Sequence, residues 1–371
     1  MLRFLRSSLP LLLLAPALLA EPPQPSGQLA FLRSQDGEKI ASLQTLSAEF
    51  KPAGGRGPSI WLIGVAHIGT PEYYTALQKR LDAQSTVLFE GVDAKKLTRE
   101  AKPENKKSLQ GKLATALGLV FQLDGINYQR PNFVSCDLTM AGLEKAMANH
   151  NAQPPATDSS PGKPAASDPS APPEKRRGPT LPAKVDNATF DTLMQAIRGE
   201  GDIGRKLDGM VGIMGSTPEM RETVKLMFIE SFAQAGDIIN AAKAASPEIR
   251  DLFEVILTER NENVIRQLEA RLPQLGPGDT IAVFYGAAHM DQIMERLTTE
   301  LHYTPGVQMW DTAFTADTTK SMMPTAQIKA IVQMMRTQLQ NAPAGKGGGL
   351  ESLFGLPALD GAADKAAPVG K

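Results

Sequence analysis

Two short, almost wholly apolar runs constrain what this chain folds into more than any other feature. Residues 59–65 read Ser-Ile-Trp-Leu-Ile-Gly-Val, and residues 279–285 read Asp-Thr-Ile-Ala-Val-Phe-Tyr. Each is too short for a helix and rich in β-branched and aromatic side chains, the signature of a buried strand. Further strands are expected at 86–90, 132–136 and 306–310, and an antiparallel edge hairpin within 28–50. Helical signals alternate with them. Thr70, Pro71 and Glu72 supply an N-cap, a first helical position and a first-turn acid for a helix reaching about Leu81. A second helix is expected from about His289 to Glu300, and a third from about Ile249 to Leu272. From 187 to 272 the pattern is helical throughout, punctuated by Gly201, Gly215 and Ser246-Pro247. The expectation is an α/β fold: a mixed sheet core with helices on its faces and an all-helical insertion.

Composition sets the surroundings of that core. The charges nearly cancel, with 39 basic against 40 acidic residues, so nothing points to nucleic acid or an anionic membrane surface. Arg3 and Arg6, the apolar run 9–19 and the small Ala20 make residues 1–20 an expected signal peptide. The apolar run is shorter than the roughly 20 residues that span a bilayer, so no stable anchor is expected after cleavage. That places the protein in the periplasm or outside the cell. With one cysteine, Cys136, no disulfide within the chain is available, and Cys136 itself reads as a core thiol. Residues 151–187 and 341–371 are rich in Pro, Ala, Gly and Ser and poor in large apolar side chains, which leaves too little burial to offset ordering. They are expected to be a disordered insertion and a disordered tail around a single α/β domain at 26–340.

The residues that carry chemistry sit at strand ends. Gly64-Val-Ala-His67 follows one buried run and Gly286-Ala-Ala-His289 follows the other. Gly64 and Gly286 are expected to shape the turn off each strand. Each imidazole is then expected at the carboxyl end of a strand near a helix start, the edge at which open α/β sheets bind ligands. These loops use two of only four histidines; the others, His150 and His302, read as solvent-exposed. Glu90 closes the run 86–90 at the same edge if the strands are parallel, and Asp137 closes 132–136 as a weaker candidate. In the helix 249–272, Phe253, Ile256, Leu257, Val264 and Leu268 mark an apolar stripe that also contains Arg260 and Asn261. An inward Arg and amide cost several kcal/mol unless paired. Spacing leaves two readings open for them. One is a structural Arg bonded to a strand end or to Glu90. The other has Asn261 offering its carbonyl oxygen to a metal while Arg260 stabilises developing negative charge. Two imidazoles, a carboxylate and an amide oxygen suit Mn, Co, Fe or Zn better than Cu(I).

GVAH at 64–67, LFEG at 88–91, ERN at 259–261 and GAAH at 286–289, in that order, resemble the TraB/GumN/Tiki superfamily across about 60–310. The resemblance implies an erythromycin-esterase-like fold of the EreA/ChaN kind. It also implies a site made of His67, Glu90, Arg260, Asn261 and His289, with metal on His67, Glu90, Asn261 and His289 and catalytic roles for Glu90 and Arg260. Tiki-like members look like metal-dependent peptidases that prefer manganese or cobalt to zinc, and other relatives bind peptides or, more distantly, haem. The expected function is an exported metal-dependent hydrolase acting on a peptide or protein, with haem not expected. The alternative is a non-catalytic envelope protein that binds peptide, metal or haem.

Overall fold

The structure, a computed structural model, describes residues 29–91, 106–152, 200–234 and 247–341, with single positions at 195, 236, 240 and 243. The expected signal peptide, nearly all of the 151–187 segment and the tail after Asn341 lie outside the described residues.

A mixed sheet carries the fold. Strands β1 (Leu32–Asp36) and β2 (Ile40–Pro52) form an antiparallel hairpin, followed by β3 (Ser59–Val65) and a two-residue strand β4 (Ile68–Gly69). Helix α1 (Pro71–Asp82) leads to β5 (Thr86–Phe89). After α2 (Leu109–Leu117), the short β6 (Val120–Phe121) and a single turn α3 (Gln122–Gly125), the chain forms β7 (Phe133–Ser135) and α4 (Met140–Ala152). Helices α5 (Gly201–Met214), α6 (Pro218–Ala233) and α7 (Pro247–Phe253) precede a π-helical turn at Glu254–Glu259 and α8 (Arg260–Arg271). Strand β8 (Thr280–Gly286), α9 (Ala287–Thr299), β9 (Tyr303–Asp317) and α10 (Thr325–Gln340) complete the order. Among the described residues no helix is long and apolar enough to cross a membrane.

The strand order is β1-β2-β3-β8-β5-β7, and β9 also pairs with β2. β3, β8, β5 and β7 run parallel, while β2 is antiparallel to β3 and to β9. β8 therefore enters between β3 and β5, although more than 190 residues separate it from either. Of the hairpin expected at an edge, β1 does lie at one, whereas β2 is interior. β9 pairs along β2 from Ile40 to Pro52, and β1 and then β3 take successive stretches of β2. Only that return of β9, 15 residues long where five had been expected, converts β2 from edge to centre.

Period-two alternation places helices on both faces. On β8, Ala282 and Phe284 face one core with Tyr73, Tyr74 and Leu77 of α1 and Val224, Leu226 and Ile229 of α6. Ile281, Val283 and Tyr285 face the other, with Val264, Ile265 and Leu268 of α8 and Met290, Ile293 and Leu297 of α9. α6 also packs on β1, β2 and β9. The described part of 187–272 is helical as expected, yet α6 and α8 are layers of the sheet's own core.

The helix expected at 249–272 is interrupted. A π turn holds one more residue per turn than an α-helix and shifts the phase of the buried face. Leu252 is buried ahead of the turn and Val255 within it, Phe253, Ile256 and Leu257 of the expected stripe are only half-buried, and the inward face resumes with Arg260 and Asn261.

Candidate active site

The parallel strands present a row of polar side chains just beyond their carboxyl ends. In sheet order these are His67 after β3, His289 after β8, Glu90 after β5 and Asp137 after β7. A strand's backbone ends there with its last groups free of the ladder, so side chains that follow project past the sheet edge.

Arg260, the first residue of α8, reaches into this row from the face above. Its Nε donates to Asp137 Oδ1 at 2.9 Å, and its Nη2 donates to Asp137 Oδ2 at 2.7 Å and to Glu90 Oε1 at 2.6 Å. The Asp137 side chain is 0% exposed and also accepts the backbone N–H of Gly91 and of Leu138. Burial opposes charge on the guanidinium, but Glu90 and Asp137 outweigh it and hold Arg260 protonated. Burial likewise pushes the Glu90 carboxyl up, and Arg260, His289 and His67 overcome that and hold it well below the usual carboxylate range. Among the described residues Arg260 Nη1 makes only two long contacts, 3.5 Å to the Ile256 carbonyl and 3.5 Å to His289 Nε2.

Both imidazoles are anchored through Nδ1 by an amide. His289 Nδ1 lies 2.7 Å from Asn261 Oδ1, and His67 Nδ1 lies 2.7 Å from Gln122 Oε1. An amide oxygen only accepts, so each Nδ1 carries a proton, and in the neutral ring that leaves Nε2 as the lone pair. His289 Nε2 is 3.6 Å from Glu90 Oε1. His67 Nε2 and Glu90 Oε2 converge on Gly286, each 3.2 Å from where a Cβ on that glycine would stand. Glu90 Oε2 also accepts the Gly286 N–H at 2.6 Å.

The two glycine loops are not equivalent. β8 passes straight into α9, so His289 sits in the first turn of that helix. β4 and Thr70 intervene between His67 and α1, so His67 is not at a helix start. The registers are also staggered: Gly64 pairs with Tyr285, and Val65 with Gly286. Neither glycine has the positive φ that a sharp turn would need. Their role is space. A Cβ on Gly64 would press Phe31, Ala287 and the Leu46 carbonyl at 3.3–3.4 Å, and one on Gly286 would enter the site.

Every sequence-derived candidate falls in or beside this cluster. The amide oxygen of Asn261, expected on a metal, is instead the acceptor that orients His289. Cys136 is buried at the end of β7, its thiol pushed up to about 12 by burial, which keeps it protonated and inert. His302 is exposed, with φ 57°. The sequence reading missed four contributors: Gln122; Tyr128, whose hydroxyl accepts from Gln122 Nε2 at 2.7 Å; Gln292, which accepts from Asn261 Nδ2; and Thr258, which accepts from Gln292 Nε2 at 3.2 Å. Only Gln292 was within reach of sequence reasoning, since it lies one helical turn after His289 on the same face. Thr258 and Gln292 also line a cleft of about 470 Å³ beside the His289 loop, with Ala288, Asp291 and Leu257.

Two imidazole Nε2 atoms and a carboxylate are the donor types that Mn, Co or Zn accepts, and an amide on Nδ1 is the usual outer support of a histidine ligand. Among the described residues no three His, Cys, Asp or Glu side chains are drawn closely enough together to hold a metal as they stand. The donor types fit; the observed arrangement does not close around an ion.

Comparison of the chain with protein-family profiles, with curated proteins and with solved structures gives no match.

Proposed function

We propose that this protein is an exported hydrolase of peptide or protein substrates, working with a divalent metal, Mn or Co in preference to Zn. The observation that carries the reading is the convergence of two Nδ1-anchored imidazoles on one carboxylate, itself tied to a buried guanidinium. A pair of lone pairs facing a carboxylate calls for a cation between them, either a proton or a metal. The ordered motifs resembling the TraB/GumN/Tiki superfamily favour the metal, an erythromycin-esterase-like arrangement of this α/β sheet and a peptide substrate. Residues 1–20 favour a periplasmic or secreted location.

His67 Nε2, His289 Nε2 and Glu90 would hold the metal, with Asn261 as the residue that orients His289. Glu90 Oε1 and Oε2 each give one hydrogen bond's worth of lone pair to Arg260 or Gly286, which leaves lone pairs for a ligand. When bound, the metal would polarise a carbonyl and acidify a water. The depressed pKa of Glu90 suits a permanent charge holder and makes it a weak proton acceptor. Among the described residues Arg260 Nη1 is the one donor of that guanidinium without a short bond, and it is the part able to turn toward an oxyanion. Asp137 holds the rest of the guanidinium still while it does so.

The test is metal analysis of the full chain expressed with its leader, paired with turnover of a peptide library. Turnover should vanish in EDTA and return with manganese or cobalt, and His67→Ala and His289→Ala should each lower it about 100-fold or more. If neither substitution changes metal content or turnover, the reading fails. A Soret band after haem addition, with turnover absent, would replace it by a binding protein.

A further inference from the structure

We infer that Gln122 is a positioning residue that sets the tautomer of His67, and so decides that Nε2 faces the site without a proton. The fold builds this contact twice over. β4 and β6 pair Ile68 with Phe121 and Gly69 with Val120, which brings the residues just after His67 against those just before Gln122. The Gln122 N–H then donates to the His67 carbonyl at 2.8 Å, while the Gln122 side chain meets His67 Nδ1 at 2.7 Å. Backbone and ring of the histidine are thus held by one residue. Gln122 is 4% exposed, so its amide has little water to exchange partners with, and its NH2 group is met by the Tyr128 hydroxyl.

Tyr128 is itself fixed by the sheet. Its ring lies 5.0 Å from Phe89, 6.0 Å edge-on from Phe133 and 6.4 Å from Phe284, side chains of β5, β7 and β8. Glu90 directly follows Phe89, so the strand that presents the carboxylate also steadies the amide that orients the imidazole facing it. Asn261 does the same for His289, with Gln292 behind it. His67 is the more exposed of the two rings, and with no amide its Nε2 would be free to take the proton and donate to Glu90. That would turn a ligand or proton acceptor into a plain hydrogen-bond donor.

The use of Nε2 rests on the proposed hydrolase; the tautomer does not, and it is measured without substrate. The full chain labelled with ¹⁵N-histidine, kept in EDTA at a pH where the ring is neutral, contains four imidazoles. Long-range ¹H–¹⁵N correlation reads each tautomer, and His67→Ala identifies the His67 signals. The expected wild-type pattern is a protonated Nδ1 and a pyridine-type Nε2 on His67. Gln122→Leu should move the proton to Nε2, and Gln122→Glu, which can only accept, should keep it on Nδ1. If Gln122→Leu does not fold, Gln122→Asn withdraws the same acceptor by one methylene and carries the test. Manganese affinity should fall about 10- to 100-fold in Gln122→Leu and recover in Gln122→Glu. A wild-type Nε2–H tautomer, or a tautomer indifferent to removal of the Gln122 acceptor, overturns the inference and leaves the hydrolase reading standing. Absence of peptide turnover with the expected tautomer does the reverse.

Discussion

Arg260 carries its charge into nearly dry surroundings because two carboxylates meet it there, and this pairing makes the residue hard to replace. Arg260→Met would leave Glu90 and the fully enclosed Asp137 without a counter-ion, an arrangement that costs about 3–5 kcal/mol when one partner of a buried pair is removed. Arg260→Lys should recover little of it, since an ammonium cannot reproduce the fork that spans both Asp137 oxygens. Urea unfolding of the three proteins measures both effects. Gly286→Ala probes the opposite property, a site limited by space. Its methyl would stand 3.2 Å from both His67 Nε2 and Glu90 Oε2, so those groups must give by a few tenths of an ångström. Turnover should fall at least tenfold while stability changes by less than about 1 kcal/mol, because the neighbours are side-chain tips and the backbone φ is ordinary for alanine. The candidates at this scale were legible because imidazole, carboxylate and guanidinium side chains in apolar contexts stand out in a sequence. Gln122 and Tyr128 were not, since neither an amide at the start of a short turn nor a tyrosine in a loop violates any local pattern.

The elements hold these residues in phase, and the π turn is the clearest case. Were the same residues wound as an uninterrupted α-helix, the face that presents Arg260 and Asn261 would be rotated by about 100° from the face that buries Leu252 and Val255. Inserting one alanine after Leu257, beyond the single extra residue the turn absorbs, should rotate the two faces apart and so abolish turnover and weaken the fold together, checked by peptide turnover and circular-dichroism melting. A second element-scale test concerns α6, β1 and α10. Glu230 of α6 is buried 3.7 Å from Lys329 of α10, which also pairs with Asp36 of β1. Burial raises the Glu230 pKa; Lys329 opposes the shift and Asp36 adds to it. A carboxyl whose folded pKa is raised binds its proton more readily in the folded state. Its contribution is therefore favourable below the ordinary value of about 4.3 and declines as pH rises through the raised value. Glu230→Gln should raise the melting temperature at neutral pH and lose that advantage below about pH 4. Most element positions could be read from alternation and caps: β3, β5, β7 and β8 lie within one or two residues of expectation, and Thr70 does cap α1. The π turn could not, because it satisfies helical periodicity on each side and differs only by a phase.

At the scale of the whole molecule, β8 is the strand on which everything else depends. It is buried from Ile281 to Gly286, flanked by β3 and β5, and covered by helices on both faces. Its amides should exchange with deuterium only through global unfolding, with protection free energies equal to that from urea denaturation, while the β1 edge and the end of α10 exchange through local opening. Faster exchange in β8 than in β1 would contradict that hierarchy. Insertion of β8 between β3 and β5 also makes His289 the neighbour of both His67 and Glu90, and no local feature announces it. What the sequence determined alone was therefore the class of fold, the position of most strands and caps, and the polar residues waiting at their ends. Those properties follow from backbone sterics and from the solvation of side chains close along the chain. The tertiary structure alone decided strand order, the interior place of β2, the amide behind each imidazole and the spatial need for two glycines. Each of these is a contact between residues far apart in sequence, and its energy depends on geometry that exists only once the sheet has closed around β8.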